Sequence, residues 1–213
     1  MNWSLPFLDQ RSATDLIVYA MLVAIVTVAA IVAMRKRYSF DMFFGFLMMQ
    51  FLCFAVVENM QVATEYAWDI KNINDTQVEI GKWISRNLPV GISYATNDIG
   101  AMGYYAPADT LVDVMGLIRP ESATEYEKTL SPDITCLWVL NKWRPQYLVC
   151  FNEWFPHLVH DGMRLGMLEP IHTANIENNL TCGSPGVKMM LVYRVDYSHI
   201  GDVISQARIH LDE

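Results

Sequence analysis

The polar residues best suited to chemistry begin directly after a strand-like run at 92–96. Asp98 follows this run, and Gly100 and Gly103 come next, three residues apart. A dinucleotide-binding turn needs three glycines as GxGxxG, and this stretch has only the second half of that pattern. A carboxylate here also repels a phosphate group. We therefore expect Asp98 to cap the amides of a following helix, and the glycines to allow a tight turn with close packing. A ligand site is the alternative.

Two further acids, Asp113 and Glu153, also lie at or near the ends of predicted strands. An acid inside an apolar run has to be paired or hydrogen-bonded. Open α/β sheets bind ligands at the carboxyl ends of their strands. The three acids, with Tyr104 and Trp154 close by, therefore form a candidate edge for a sugar or a cation. A network that only satisfies backbone amides is an equal alternative. No nucleophile–base pair accompanies the acids, so we predict no catalytic residue.

A metal site is not predicted. His157 and His160 lie three residues apart, a spacing that lets two histidines share a metal on one helix face. No further ligand is evident, so a solvated helix face is the preferred interpretation. Nothing in the sequence predicts a cofactor either.

The four cysteines leave the redox state open. Cys53 falls in an apolar run, and Cys136, Cys150 and Cys182 come later, with no CxxC pair and no zinc-like spacing. An oxidising compartment permits one disulfide among these last three. Structural burial is the slightly preferred alternative.

Two apolar runs precede the polar region, at about 16–34 and 40–57. The first carries no charge and is long enough to cross a bilayer as a helix. The basic cluster at 35–37 lies between them, and short basic loops stay in the cytoplasm. The pattern predicts a transmembrane hairpin over 1–60 with both termini outside. A cleaved signal peptide or two buried core helices are the alternatives, disfavoured by the position of the basic residues and by the length of the first run.

The remainder, 61–213, has the pattern of an α/β domain. A helical stripe covers 58–87, as a continuation of the second run or after a short break near 72–75. Short β-prone runs follow at 92–96, 110–114, 147–151, 169–174 and 187–195. Helical segments are predicted at 99–105, 123–130, 134–143, 156–165 and 200–211. This alternation predicts a mostly parallel sheet, and the last two strands, without a helix between them, an antiparallel edge hairpin. The net charge of −8 and the lack of a basic run interleaved with aromatics argue against nucleic acid.

Five sets of short motifs recur in a recognisable order. They are IGKWI at 80–84 before NLP at 87–89, NDIGA at 97–101 before GY at 103–104, LVD at 111–113 before GL at 116–117, RPQYLV at 144–149 before WFP at 154–156, and MLVYR at 190–194. In this order they resemble the C-terminal extracytoplasmic domain of bacterial GT-C membrane glycosyltransferases, which use polyprenyl-phosphate sugars. The resemblance implies that the two apolar runs correspond to the last membrane helices of such an enzyme.

The resemblance does not extend to the catalytic part of that family. Its catalytic acids lie in the first outer loop of a many-helix core, and nothing in this sequence corresponds to that loop. Taking the chain as complete, we expect a stand-alone protein that kept the tail of an enzyme and lost its active part. None of the acids named above inherits a catalytic role.

Three functions remain open. The preferred one is a non-catalytic, membrane-anchored accessory subunit of a larger integral membrane complex, such as a photosynthetic or respiratory one. The others are the C-terminal half of a split glycosyltransferase and an outer binding module for a glycan or another polar ligand. The expected partners are integral membrane subunits and lipid. The expected location is the bacterial inner membrane, with both termini and the α/β domain on the periplasmic side.

Overall fold

The computed structural model describes residues 21, 24–28, 31–32, 40–106, 110–177, 179 and 187–212. Most of the first predicted span and the basic cluster at 35–37 lie outside these residues, so the transmembrane hairpin stays a prediction. The chain forms two compact units, Met1–Tyr66 and Ala67–Glu213. Within the described residues, one helix, Phe44–Asn87, is long and apolar enough to cross a membrane, as judged by length and composition.

This long helical segment has three parts. Helix α1 is Phe40–Ile73, a π-helix follows at Asn74–Val78, and helix α2 is Glu79–Asn87. Of the two alternatives predicted for this stretch, continuation of the second apolar run is confirmed: the chain stays helical, and only its hydrogen-bonding pattern changes from α to π at Asn74–Val78. Such π turns inside longer helices are rare and often lie at functional positions.

The rest of the second unit contains five strands and five helices in the described residues. The strands are β1 (Ser93–Thr96), β2 (Thr110–Asp113), β3 (Tyr147–Phe151), β4 (Leu168–Asn175) and β5 (Met189–Val195). The helices are α3 (Ile99–Tyr105), α4 (Pro120–Thr129), α5 (Pro132–Trp143), α6 (Pro156–Arg164) and α7 (Ile200–Asp212). Helices α4 and α5 begin before their predicted starts because a proline occupies the first turn, where its missing N–H costs nothing.

The five strands form one mixed sheet in the order β2-β1-β3-β5-β4. Strand β1 pairs in parallel with β2 and β3, and β5 pairs antiparallel with β3 and β4. The expected α/β class and the antiparallel edge hairpin are confirmed. Four of the five strands point the same way, although only two of the four pairings are parallel.

Both faces of the sheet are covered by apolar side chains. On one face, Leu148 and Tyr193 belong to a buried cluster with residues of α5, α6 and α7. On the other face, Tyr94 and Phe151 pack with Ile80 and other residues of α2 and α3. The alternation of side chains along β1 and β3 supplies both clusters. The strands are thus held between two helical layers, and their ends are places where a site can form.

Candidate functional site at the carboxyl edge of the sheet

The ends of three parallel strands bring the predicted polar residues to one edge. Strands β2, β1 and β3 are neighbours and run in the same direction, so Asp98, Asp113 and Glu153 all lie at or just after carboxyl ends. From β1 the chain continues to β2 on one side, and from β3 it continues to the hairpin on the other. Such a reversal creates the crevice in which open α/β sheets bind ligands. The edge between β1 and β3 is therefore the candidate site.

The carboxylate of Asp98 does not cap helix α3, so that expectation was wrong. Asp98 occupies the N-cap position, but its side chain makes no capping hydrogen bond. The carboxylate instead accepts a hydrogen bond from the side-chain amide of Gln77. The backbone N–H of Asp98 donates to the hydroxyl of Thr96 over 3.2 Å. The carboxylate is turned toward the π-helix, away from the amides that it was expected to satisfy.

The glycines of this stretch do not form a tight turn, which corrects a second expectation. Gly100 and Gly103 both lie inside helix α3. A Cβ atom on Gly100 would meet nothing within 4 Å, and one on Gly103 would lie 3.4 Å from Leu111 Cδ2. The close approach is at Gly81, where a Cβ would lie 2.8 Å from the Cβ of Tyr105. Gly81 therefore allows α2 and α3 to touch.

The carboxylate of Asp113 is fully buried and organises the loop that follows β2. Its Oδ1 accepts hydrogen bonds from the backbone N–H groups of Met115 and Gly116, at 3.1 and 3.0 Å. Its Oδ2 accepts from those of Ile118 and Arg119, at 2.6 and 3.2 Å. The expectation that this acid is hydrogen-bonded is confirmed, in the form of the amide-satisfying alternative. Asp113 shapes the backbone and is not free to act on a ligand.

The other predicted members of the edge are more exposed. Glu153 is exposed in a short 3₁₀ turn, Asn152–Trp154. The ring of Trp154 is half-buried, 5.0 Å from that of Phe151. Tyr104 is 79% exposed on α3. Within the described part of the chain, the three acids share an edge but no hydrogen bond with one another, so the edge is not a carboxylate cluster.

A buried polar cluster on the π-helix was missed by the sequence analysis. Thr76 is fully buried, and its hydroxyl donates to the carbonyl of Asn72 over 2.6 Å. The same hydroxyl lies against the side-chain oxygen of Gln77, and the side-chain N–H of Gln77 in turn donates to the carboxylate of Asp98. Asn97 Oδ1 is also buried at the end of β1, and no described residue donates to it. The sequence signal was the polar run NDTQ at 74–77 inside an amphipathic stripe.

The two predicted histidines and two of the cysteines lie on α5, α6 and β3. His157 and His160 are exposed on α6, as expected of a solvated helix face, and no group of three or more possible metal ligands occurs among the described residues. Cys136 and Cys150 are free, fully buried thiols, and burial raises the pKa of both. Burial is thus confirmed for these two, while Cys182 lies outside the described residues.

A shallow groove of about 860 Å³ lies at the opposite edge of the sheet, between the start of β4 and the end of β5. Arg194 and Glu169 line it and form an ion pair of 2.9 Å. Both side chains are more than half exposed, so this ion pair contributes little to the stability of the fold. None of the predicted site residues lines this groove.

The fold and the edge define an α/β protein with a mixed five-stranded sheet and one long apolar helix. The chain belongs to a family described as a domain of unknown function (DUF8728), which it matches over residues 70–203. The matched region contains the π-helix, the whole sheet and the Gln77–Asp98 contact. No curated protein and no solved structure matches the chain.

Proposed function

We propose that the chain is a membrane-anchored, non-catalytic accessory subunit of a larger integral membrane complex. The observation that carries the proposal is the apolar helix. Large apolar side chains such as Phe51, Leu52 and Met60 are more than 60% exposed, and the apolar window of the helix is not buried in the described chain. Apolar surface on this scale needs lipid or other helices against it.

The use of the acids in the α/β unit supports a structural role. The Asp113 carboxylate holds a loop, and Asp98 is bonded to Gln77. Asp133 at the start of α5 accepts a hydrogen bond from the backbone N–H of Leu158 over 2.8 Å, which joins α5 to α6. These carboxylates stabilise contacts between elements, and such rigid elements suit a domain that braces neighbouring subunits.

The order of motifs between 80 and 194 supports a descent from the tail of GT-C glycosyltransferases. On this proposal the α/β unit lies on the periplasmic side of the bacterial inner membrane, next to lipid and integral membrane subunits. A photosynthetic or respiratory assembly is the kind of complex that such a chain would join.

The test is gentle detergent extraction from the native membrane, followed by native separation and mass spectrometry of the co-migrating chains. A stoichiometric assembly of unrelated membrane subunits is the expected result. A single many-span partner with an acidic first outer loop would instead make the chain half of a split transferase. A chain that migrates alone under conditions that keep other membrane complexes intact would refute the proposal.

A further inference from the structure

Two cationic side chains share the rings of two tryptophans near the end of α5. The ammonium group of Lys142 lies 4.4 Å from the ring centre of Trp138 and 4.5 Å from that of Trp143. The guanidinium group of Arg119 lies 4.8 Å from the ring centre of Trp143. The two tryptophan rings meet edge to face at 5.1 Å. We call these four residues, with Leu117 and Ile118, the cation–aromatic surface.

The two positive charges of this surface have no carboxylate partner. Among the described residues, no acid lies within ion-pair distance of Lys142 or Arg119. Because both groups lie within 5 Å of one ring centre, they are at most about 10 Å apart, roughly one Debye length. The ring faces attract the cations and favour these positions. A concentrated positive charge is therefore held on a chain whose net charge is −8.

The loop that the Asp113 carboxylate holds adds two apolar residues to the surface. The carboxylate binds the backbone N–H groups of Ile118 and Arg119 and so holds the loop that precedes α4. Leu117 and Ile118, which come directly before Arg119, are 70% and 64% exposed. Two exposed apolar side chains thus directly precede Arg119 in a loop that the Asp113 carboxylate holds.

We propose that the cation–aromatic surface docks an acidic segment of a partner subunit. Tryptophan and arginine, with neighbouring apolar side chains, are the residues that dominate protein interfaces. Side chains that already favour one position before binding lose less entropy when the partner arrives. The unpaired charges select a partner with carboxylates, because complementary charge guides association and sets specificity. This inference rests on the proposed function and identifies the contact through which the α/β unit meets its partner.

The test is zero-length carbodiimide crosslinking of the native complex, which joins a lysine amine to a carboxylate in contact with it. Mass spectrometry is expected to find Lys142 linked to an Asp or Glu of a co-migrating subunit. Lys142→Arg keeps the charge and the stacking but lacks the amine. It should keep the complex and lose the crosslink.

Charge reversal supplies a second measurement. Lys142→Glu should lower the fraction of the chain that stays in the complex by about tenfold, as a weakened charge contact requires. Arg86→Glu makes the same change of charge at an exposed position of α2 and should leave the complex intact. Raising the ionic strength from about 0.05 to about 0.5 M should release wild type toward the level of Lys142→Glu.

The outcomes separate the two proposals. A wild-type chain that migrates alone would overturn the proposed function and this inference with it. A partner complex in which Lys142 forms no crosslink, and in which Lys142→Glu behaves like Arg86→Glu, would overturn only the docking proposal. Release by delipidation to the extent caused by Lys142→Glu, with no crosslink to protein, would assign the surface to an anionic lipid and also overturn it.

Discussion

The side-chain amide of Gln77 on the π-helix donates a hydrogen bond to the carboxylate of Asp98 at the end of β1. Gln77 is almost fully buried, and its side-chain oxygen contacts the hydroxyl of Thr76. The contact joins the helical segment that precedes the sheet to the strand that lies between β2 and β3. It takes the place of the helix cap that the sequence predicts for Asp98.

Replacing this amide by a carboxylate should destabilise the fold strongly. Gln77→Glu places two acids in contact in a buried position, and we expect the free energy of unfolding to fall by about 2 kcal/mol or more. Urea unfolding of the full chain in a mild detergent measures the loss. The double variant Gln77→Glu with Asp98→Asn exchanges donor and acceptor and should recover most of it. If both variants were equally unstable, the contact would not be the source of the effect.

Two glycines provide a matched test of helix contact against helix propensity. Gly81→Ala places a Cβ about 2.8 Å from the Cβ of Tyr105, so α2 and α3 have to move apart. We expect a loss of about 1–3 kcal/mol from overpacking. Gly100→Ala meets nothing within 4 Å inside α3 and should be neutral or stabilise by up to about 1 kcal/mol. Thermal and urea unfolding of the two variants would contradict this account if Gly100→Ala were the more damaging change.

The positions of the helices and strands were largely predictable because they depend on local patterns. The strand at 147–151 and the helix at 99–105 have their predicted bounds. An apolar run bounded by turn residues, or an apolar period of three to four, is present in the segment itself. The order of the strands followed in part, since a hairpin without an intervening helix has to pair antiparallel.

The contacts of the candidate site were not predictable, because their partners come from distant segments. Asp98 was expected to use nearby amides, whereas Gln77 lies twenty-one residues before it. Lys142 and Trp143 are neighbours in α5, but the cation–aromatic surface was not predicted because Arg119 reaches Trp143 from a distant segment. Four local amides, by contrast, satisfy Asp113, and its hydrogen-bonded state was predicted from the sequence.

Alkaline pH should weaken the fold through its buried tyrosines. Tyr94 is fully buried, its hydroxyl lies 3.0 and 2.9 Å from the carbonyls of Met102 and Ala106, and burial raises its pKa above the ordinary value. In the unfolded chain this phenol ionises near pH 10, so above that pH the unfolded state binds fewer protons. The contribution of Tyr94 to the free energy of unfolding is therefore complete below about pH 10 and is lost as the pH rises above it.

The variant Tyr94→Phe isolates the contribution of this tyrosine to the pH dependence of the free energy of unfolding. Above about pH 10, the free energy of unfolding of wild type should fall faster than that of Tyr94→Phe by up to about 1.4 kcal/mol per pH unit. Below about pH 9 the two curves should be parallel, offset by about 1 kcal/mol for the lost hydrogen bond. Parallel curves over the whole range would show that Tyr94 titrates equally in both states.

The exposed thiol on the apolar helix tests where that helix lies. Cys53 is a free cysteine that the described chain leaves exposed, yet the proposed function places it among lipid or partner helices. In membranes that are opened to the reagent but not denatured, a water-soluble maleimide should leave Cys53 unmodified, because lipid or partner helices keep the reagent from the thiol. After denaturation in strong detergent, peptide mass spectrometry should find it modified. Ser85→Cys, at an exposed position of α2, is the control and should be modified both in the opened membranes and after denaturation. If Cys53 reacted as fast as this control in the opened membranes, the helix would face water, and the membrane anchor would be excluded.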